Sequence, residues 1–302
     1  MKICIISNLF PPFVLGGAEI YAERIARLLS PEHDVFIIST KPFESFGSLK
    51  PELKTENGLR VYRFYPLNIY WNLDSPKKSL WLKPFWHLID LWNPQAYLTV
   101  KAILAKEKPD IVHSHNLNGL SLSVFDAVKS QGIPLVHHLH DLSFLCPYAF
   151  MYREGKGNCL KPSFACRFLK ELKRKIIASK PDLVLSPSEW ALKMHSRQGF
   201  FAESKKKRLP LSIGQASGKK KFSKKFKALF VGGLHERKGV KILIEAFKRL
   251  PYPDIELNIV GDGTMKGELV SLAGADSKII FHGKKLSAEV NEFYSQASVC
   301  IV

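Results

Sequence analysis

Short apolar runs alternate with amphipathic segments along the whole chain. The apolar runs predict strands at 2–7, 34–39, 59–64, 111–114, 135–139, 183–186, 228–231, 256–260, 278–281 and 299–302. Apolar residues at helical spacing predict helices at 18–29, 93–107, 120–130, 166–178, 189–198, 240–249, 265–273 and 287–296. Runs such as Ile111-Val112-His113 lack polar alternation, as expected of a sheet covered on both faces. Strands that alternate with helices, with few hairpin signals between them, predict parallel doubly wound sheets. The alternation stops in a stretch rich in Lys, Gly and Ser near 205–227 and restarts at Ala228. The expected architecture is therefore α/β: a Rossmann-like unit over 1–208, a basic linker over 209–227 and a second Rossmann-like unit over 228–302. A ligand cleft is expected between them. The sequence ends inside an apolar run, Ser298-Val299-Cys300-Ile301-Val302, so the second unit is expected to be incomplete.

Composition refines this picture at three places. The net charge of +18 is uneven, because residues 205–227 hold ten Lys/Arg and no Asp or Glu. That run reads either as a solvated linker or as an attractor for an anionic membrane surface. Nucleic acid is disfavoured, since no nucleic-acid module accompanies the charge. Residues 66–92 mix Tyr70, Trp71, Trp81, Phe85, Trp86 and Trp92 with Lys77, Lys78 and Lys83. Such a mixture suits a membrane interface or an excursion packed on its own domain. No apolar run reaches the ~18 residues of a membrane span, and residues 1–7 are too short for a signal peptide. The expected location is the cytoplasm, peripheral to the inner face of a membrane. Among the five cysteines, Cys4 and Cys300 lie in apolar runs and are expected in the core. Cys146, Cys159 and Cys166 have no recognised zinc spacing.

Four constellations carry candidate chemistry. Gly16-Gly17-Ala18-Glu19 follows the first strand and opens a helix. It permits close backbone approach at a helix N-terminus, yet it is not the G-x-G-x-x-G of nicotinamide enzymes. Asp110-Ile-Val-His113-Ser-His115-Asn116 and Val136-His137-His138-Leu-His140-Asp141 end two successive strands, where doubly wound folds place ligands. Zinc is the competing reading for these histidines. It is set aside on the expectation that His113 and His115 point to opposite faces of a strand. The fourth is 228–247, where Gly232 and Gly233 lead through His235, Arg237 and Lys238 to Gly239 and a helix. Bare glycines, a helix N-terminus and a lysine make a cradle for phosphate. Val260-Gly261-Asp262-Gly263 is a second strand-to-glycine turn in the same unit.

Taken in order, these residues resemble the retaining GT-B glycosyltransferases of family 4. The resemblance rests on Gly-Gly-Ala-Glu at 16–19, His-x-His at 113–115 and His-Asp-Leu-Ser-Phe-Leu-Cys-Pro at 140–147. It also rests on Val-Gly-x-Leu-x-x-x-Lys-Gly at 231–239 and Val-Gly-Asp-Gly at 260–263. It implies two Rossmann-like domains facing a cleft, the first taking most of the acceptor and the second a nucleotide diphosphate sugar. It implies His140 beside the donor sugar and Lys238 on the diphosphate, where positive charge stabilises the leaving nucleotide. Gly16, Gly17, Gly232, Arg237, Gly261 and Gly263 fall to the donor side. His113, His115, Asn116 and Asp141 fall to the acceptor or sugar side. No metal cofactor is implied.

The chain departs from the pattern at Gly233, where the family has arginine, and Arg237 is the nearest substitute. The pair of donor-binding glutamates expected after the last strand falls beyond residue 302. The leading expectation is sugar transfer with retention to a saccharide or lipid-linked acceptor in surface polysaccharide or glycolipid synthesis. The alternatives are a truncated, non-catalytic binding remnant of such an enzyme and a GT-B-like epimerase, the latter disfavoured by the ordered motifs.

Overall fold

The computed structural model describes residues 1–178, 180–211, 220–221, 225–285 and 287–302, apart from the side chains of Pro76, Ser287 and Ala288. Much of the expected linker, 212–219 and 222–224, lies outside the described residues.

Contacts divide the chain into two compact units, Met1–Met151 with Leu160–Ser212 and Tyr152–Cys159 with Ile213–Val302. The short hairpin at 152–159 therefore groups with the second unit, a division that a linear reading into 1–208 and 228–302 does not contain.

The first unit is built on β1 (Lys2–Ile6), β2 (Asp34–Thr40), β3 (Glu52–Glu56), β4 (Leu59–Phe64), β5 (Ile111–Ser114), β6 (Leu135–His138), β9 (Leu183–Ser186) and β10 (Lys205–Arg208). They form one sheet in the order β10-β9-β6-β5-β1-β2-β4-β3. Every pairing is parallel except β3 with β4. Both faces are covered. Cys4 and Ile6 of β1 join one buried cluster with Phe36, Phe64, Leu104 and Phe125. The alternate residues Ile3 and Ile5 join another with Ala22, Ala26, Ile37 and Val61. This is why the strands read as apolar runs without alternation.

Helix α1 (Gly17–Leu29) covers the second cluster with Ala22, Ile25, Ala26 and Leu29, one stripe at helical spacing. On the first cluster lies α3 (Pro94–Glu107). The Asn93 side chain accepts the Ala96 N–H at its start, Pro94 needs no partner in the first turn, and Lys108 ends it in the left-handed region at φ 48°. Between β4 and α3 the aromatic segment forms α2 (Lys83–Leu91), a helix that the sequence pattern did not predict. The segment is divided in its burial. Trp71 donates to Thr40 Oγ1 at 2.8 Å, and the buried Trp86 stacks on Tyr70, whereas Leu80, Trp81, Phe85 and Leu88 are exposed.

The remaining helices of the unit are α4 (Ser123–Lys129), α5 (Phe164–Ile177) and α6 (Glu189–Arg197). The opening of the basic stretch, Lys205–Arg208, is strand β10 at the sheet edge and fully exposed. An edge lined with lysine resists pairing with another chain.

The second unit contains the small hairpin β7 (Tyr152–Arg153) and β8 (Gly157–Asn158). Its sheet uses β11 (Phe226–Val231), β12 (Ile255–Val260), β13 (Ile279–Gly283) and β14 (Val299–Ile301), ordered β13-β12-β11-β14 and all parallel. Helices α7 (Val240–Lys248), α8 (Lys266–Ala273) and α9 (Ser287–Gln296) alternate with them. The core gathers Phe230, Leu234, Ile244, Phe247, Leu257, Ile259 and Leu269. Cys300 is exposed, against the expectation of a core position, because β14 is an edge strand. All five cysteines are free thiols, and Cys4 is buried. No helix among the described residues is long and apolar enough to cross a membrane.

Candidate functional site

In each sheet the strand order reverses at one point. β2 lies on one side of β1 and β5 on the other; β12 and β14 flank β11 in the same way. Loops leaving such neighbours diverge and open a crevice at the carboxyl ends of the strands. The predicted site residues gather at these two points, one group in each unit.

In the first unit, His113 lies on β5 with His115 just beyond its end, and His138 closes β6 with His140 two residues later. Residues two apart on a strand point to the same face. The His113 and His115 rings are accordingly 4.4 Å apart, and those of His138 and His140 are 4.7 Å apart. The expectation that His113 and His115 face opposite ways is thus corrected. Neighbouring strands bring the two pairs together, with His115 and His138 stacked at 5.7 Å. His115 Nδ1 and His140 Nε2 share a hydrogen bond of 2.9 Å. Tyr21 from α1 meets His115, His138 and His140 edge to face, with centroids 5.0–6.0 Å away. His137 points through the other face, to Ser114 Oγ at 2.9 Å and to Phe125 and Phe144, and is a core residue.

Burial keeps this group uncharged. Desolvation, reinforced by the neighbouring imidazoles, lowers His113 and His140 to about 3 and His115 well below the usual histidine range. Desolvation lowers His138 to about 4. All four are neutral at physiological pH, able both to donate and to accept hydrogen bonds.

Asn116 and Asp141 shape the loops beside them. Asn116 Oδ1 accepts the Asn118 N–H at 3.1 Å, and Asp141 Oδ1 accepts the Ser143 N–H at 2.8 Å. Asp90 holds the loop after Asn116 by accepting the Gly119 N–H at 2.8 Å.

Gly16 and Gly17 are exposed at the start of α1, and a Cβ on either would meet nothing within 4 Å. Their glycine identity therefore answers to no crowding within the chain and leaves the helix N-terminus open to approach. Buried Glu19 organises the turn, its Oε2 accepting the N–H of Gly16 at 2.8 Å and of Leu15 at 3.3 Å. Tyr21 stands in no sequence motif, and Glu19 and His138 stand in motifs without an assigned individual role. Glu19 lay three residues after the cap, where a reciprocal acceptor belongs, and Tyr21 lay on the apolar stripe.

In the second unit, β11 runs into Gly232-Gly233 and β12 into Gly261-Asp262-Gly263. The two turns pack backbone on backbone. Gly232 N–H donates to Val260 O and Leu234 N–H to Asp262 O, each at 3.0 Å. A Cβ on Gly261 would lie 1.8 Å from Gly232 O, at a φ of +150°, and one on Gly263 2.4 Å from Leu234 O. These glycines serve the fit of the two turns. A Cβ on Gly233 would crowd the His235 side chain at 2.8 Å and reach Asp262 O only at 3.9 Å. Arg237 and Lys238 follow in a 3-10 turn and are exposed. Gly239, at φ 67°, links that turn to α7 in a left-handed conformation that side chains disfavour. The hairpin contributes Glu154, 3.5 Å from His235, and Gly155, whose N–H donates to Glu236 at 2.6 Å.

Two family models match the chain. Residues 15–205 match the model of Glycosyltransferase Family 4, and residues 225–302 match that of Glycosyl transferases group 1. An uncharacterized 42.6 kDa protein in the cps region of Klebsiella pneumoniae is 30% identical over 207 residues. That match covers 68% of this chain and 54% of the relative, so the chain spans about half of that protein's length. An uncharacterized glycosyltransferase of Methanocaldococcus jannaschii is 24% identical over 323 residues, with 100% and 74% coverage. Among solved structures, Anabaena HepE in complex with UDP-glucose superposes with a TM-score of 0.62 at 16% identity, covering 99% of this chain and 73% of that one.

Proposed function

Because the chain belongs to glycosyltransferase family 4, we propose that it transfers a sugar from a nucleotide diphosphate sugar to a saccharide or lipid-linked acceptor, with retention of anomeric configuration. The observation that carries this reading is the double placement: each sheet has its motif residues at its own switch point. The second unit takes the nucleotide diphosphate. Gly232, Gly261 and Gly263 keep the backbone low there, and Arg237 and Lys238 supply positive charge for the diphosphate as the sugar–phosphate bond breaks. The first unit takes the reacting sugar and the acceptor. Neutral His140, supported by His115, hydrogen-bonds the donor sugar. Gly16 and Gly17 offer the helix N-terminus, and His113, Asn116 and Asp141 border the acceptor side. Lysine, arginine and helix N-termini provide the charge that a metal would otherwise bring, so the diphosphate needs no metal cofactor.

Support for the donor class comes from a relative in fold: HepE is solved with UDP-glucose. The cps-region relative supports a setting in surface polysaccharide synthesis. The exposed Leu80, Trp81, Phe85 and Leu88, beside Lys77, Lys78 and Lys83, support contact with an anionic membrane surface that presents a lipid-linked acceptor. The test is turnover with a panel of nucleotide sugars and cell-envelope acceptors. Turnover should fall at least ~100-fold in Lys238→Ala and in His140→Ala, the range for loss of one group that acts on transition-state charge. No nucleotide binding at millimolar concentration would leave the binding-remnant reading in its place.

A further inference from the structure

The histidine cluster in the first unit holds more unsatisfied nitrogen than sugar transfer requires. His115 and His138 are fully buried, and His113 is half-buried on the same face. His113 Nε2, His115 Nε2 and both ring nitrogens of His138 are buried without a hydrogen-bond partner. Each such atom costs about 1–3 kcal/mol, and four of them at one spot call for a ligand that satisfies several together. One ligand nitrogen from each of His113, His115 and His138 lies within 4.8 Å of the others. The backbone fixes this grouping. β5 and β6 are adjacent and parallel, with His113 opposite Val136 and Ser114 opposite His137, so His115 comes level with His138 on the same face.

The chemistry of the group narrows the ligand. No carboxylate belongs to it, so the group offers neutral nitrogen lone pairs only. A water molecule donates to two lone pairs and leaves a third unmet. A soft-to-borderline metal ion accepts all three. The existing hydrogen bond already suits this: when His115 donates its Nδ1–H to His140 Nε2, the lone pair of His115 Nε2 is free, the outer-shell arrangement usual for a metal-bound imidazole.

The geometry points to a binding site for one divalent transition-metal ion of the zinc class, held by His113, His115 and His138. Zinc–nitrogen bonds of about 2.0–2.1 Å require the three nitrogens to close up by up to about 1.5 Å, within reach of side-chain rotation. The ion is distinct from any charge on the donor diphosphate, and the site does not rest on the proposed transfer reaction. Its consequence for the neighbouring residue is specific. A bound ion fixes the His115 tautomer and makes His140 an acceptor at Nε2, so His140 is a positioning partner of the metal site.

The test uses the whole chain stripped with a chelator. Co²⁺ is titrated while visible absorption is followed, and Zn²⁺ is then added in competition. The expected result is one ion per chain, bound tighter than micromolar, with the absorption of a low-symmetry nitrogen-ligated ion. His113→Asn and His138→Asn should each weaken binding by more than the ~10–100-fold typical of outer-shell changes, and His33→Ala should leave it unchanged. Far-UV circular dichroism identifies any variant that has lost its fold, and for such a position the alanine variant replaces asparagine. Zn²⁺ should raise the melting temperature of the wild type, followed by tryptophan fluorescence, and not that of the asparagine variants. Absence of stoichiometric binding, or binding indifferent to His113 and His138, overturns the site. Neither readout uses sugar transfer, so a failure here and a failure of the transferase reading are separable.

Discussion

Replacing Glu107 by glutamine should destabilise the first unit by about 2 kcal/mol at neutral pH and by almost nothing at pH 2. Glu107 ends α3 beneath the amino-terminal edge of the sheet. Its carboxylate meets Lys2 Nζ at 2.5 Å, Tyr62 Oη at 2.5 Å and Arg60 Nη1 at 3.2 Å, tying β1 and β4 to the helix. Burial alone would raise the carboxyl, but these three partners outweigh it and hold its pKa down to about 2, from 4.5. That displacement is worth at most about 3 kcal/mol. Lys2 and Arg60 are 27% and 33% exposed, so water screens part of it and about 2 kcal/mol remains. A depressed carboxyl pKa stabilises the fold fully above 4.5, and the stabilisation is lost as pH falls through 2. The assay is urea unfolding followed by tryptophan fluorescence at several pH values. Trp71, Trp81, Trp86, Trp92 and Trp190 all lie in the first unit, so the signal reports that unit alone. The wild-type and Glu107→Gln midpoints should separate at pH 7 and converge towards pH 2. Equal midpoints at pH 7, or a gap that persists unchanged at pH 3, would refute the reasoning. The network lies at the opposite end of the strands from the histidines, so kcat/KM at pH 7 should stay at the wild-type value while the chain is folded.

Gly261→Ala and Gly263→Ala should each destabilise the second unit by more than ~4 kcal/mol, since the new Cβ meets backbone oxygen at 1.8 or 2.4 Å. Limited proteolysis should then cut after residue 225 while the tryptophan signal of the first unit persists, and an unchanged digestion pattern would contradict the close packing. Glu19→Ala leaves the Gly16 and Leu15 N–H groups without their acceptor and should cost about 1–2 kcal/mol. If the glycine turn serves the donor or acceptor, turnover falls by more than the stability loss explains; turnover that tracks the folded fraction removes the turn from the site. Trp81→Ser with Phe85→Ser should weaken sedimentation with anionic vesicles, and binding to wild type should fall with salt. Vesicle binding that survives both substitutions would place the membrane contact elsewhere.

The elements most legible in the sequence are those whose pattern is set by burial on two faces. β1, β4, β5 and β9 fall within a residue of their apolar runs, because side chains on both faces are covered. The elements it hid are edges. β3 reads Glu-Leu-Lys-Thr-Glu and β10 reads Lys-Lys-Lys-Arg, and both keep solvent on their side chains, so no hydrophobic period marks them. Charge drew attention to 205–208, and there the charge lines a strand of the first sheet. Helix α2 was hidden for another reason. Its aromatic residues serve two environments at once, Trp86 in the core and Phe85 in water, and a mixed demand blurs the period.

The candidate site follows the same logic with one further step. Sequence motifs located both switch points, because glycines and histidines after apolar runs are local signals. The grouping of side chains across strands is not local. His113 and His115 share a face by the twofold period of a strand, but their company with His138 and His140 depends on β6 pairing beside β5 in a register that places His115 level with His138. A shift of that register by one residue would turn His138 and His140 into the core and bring His137 to Tyr21 instead. His137 and Ser114 oppose this shift from the other face: their 2.9 Å hydrogen bond, packed under Phe125 and Phe144, pins the register from within the core. The buried polar pair is therefore part of what brings the four imidazoles together. Replacing Ser114 by alanine should loosen the site more than its small volume would suggest.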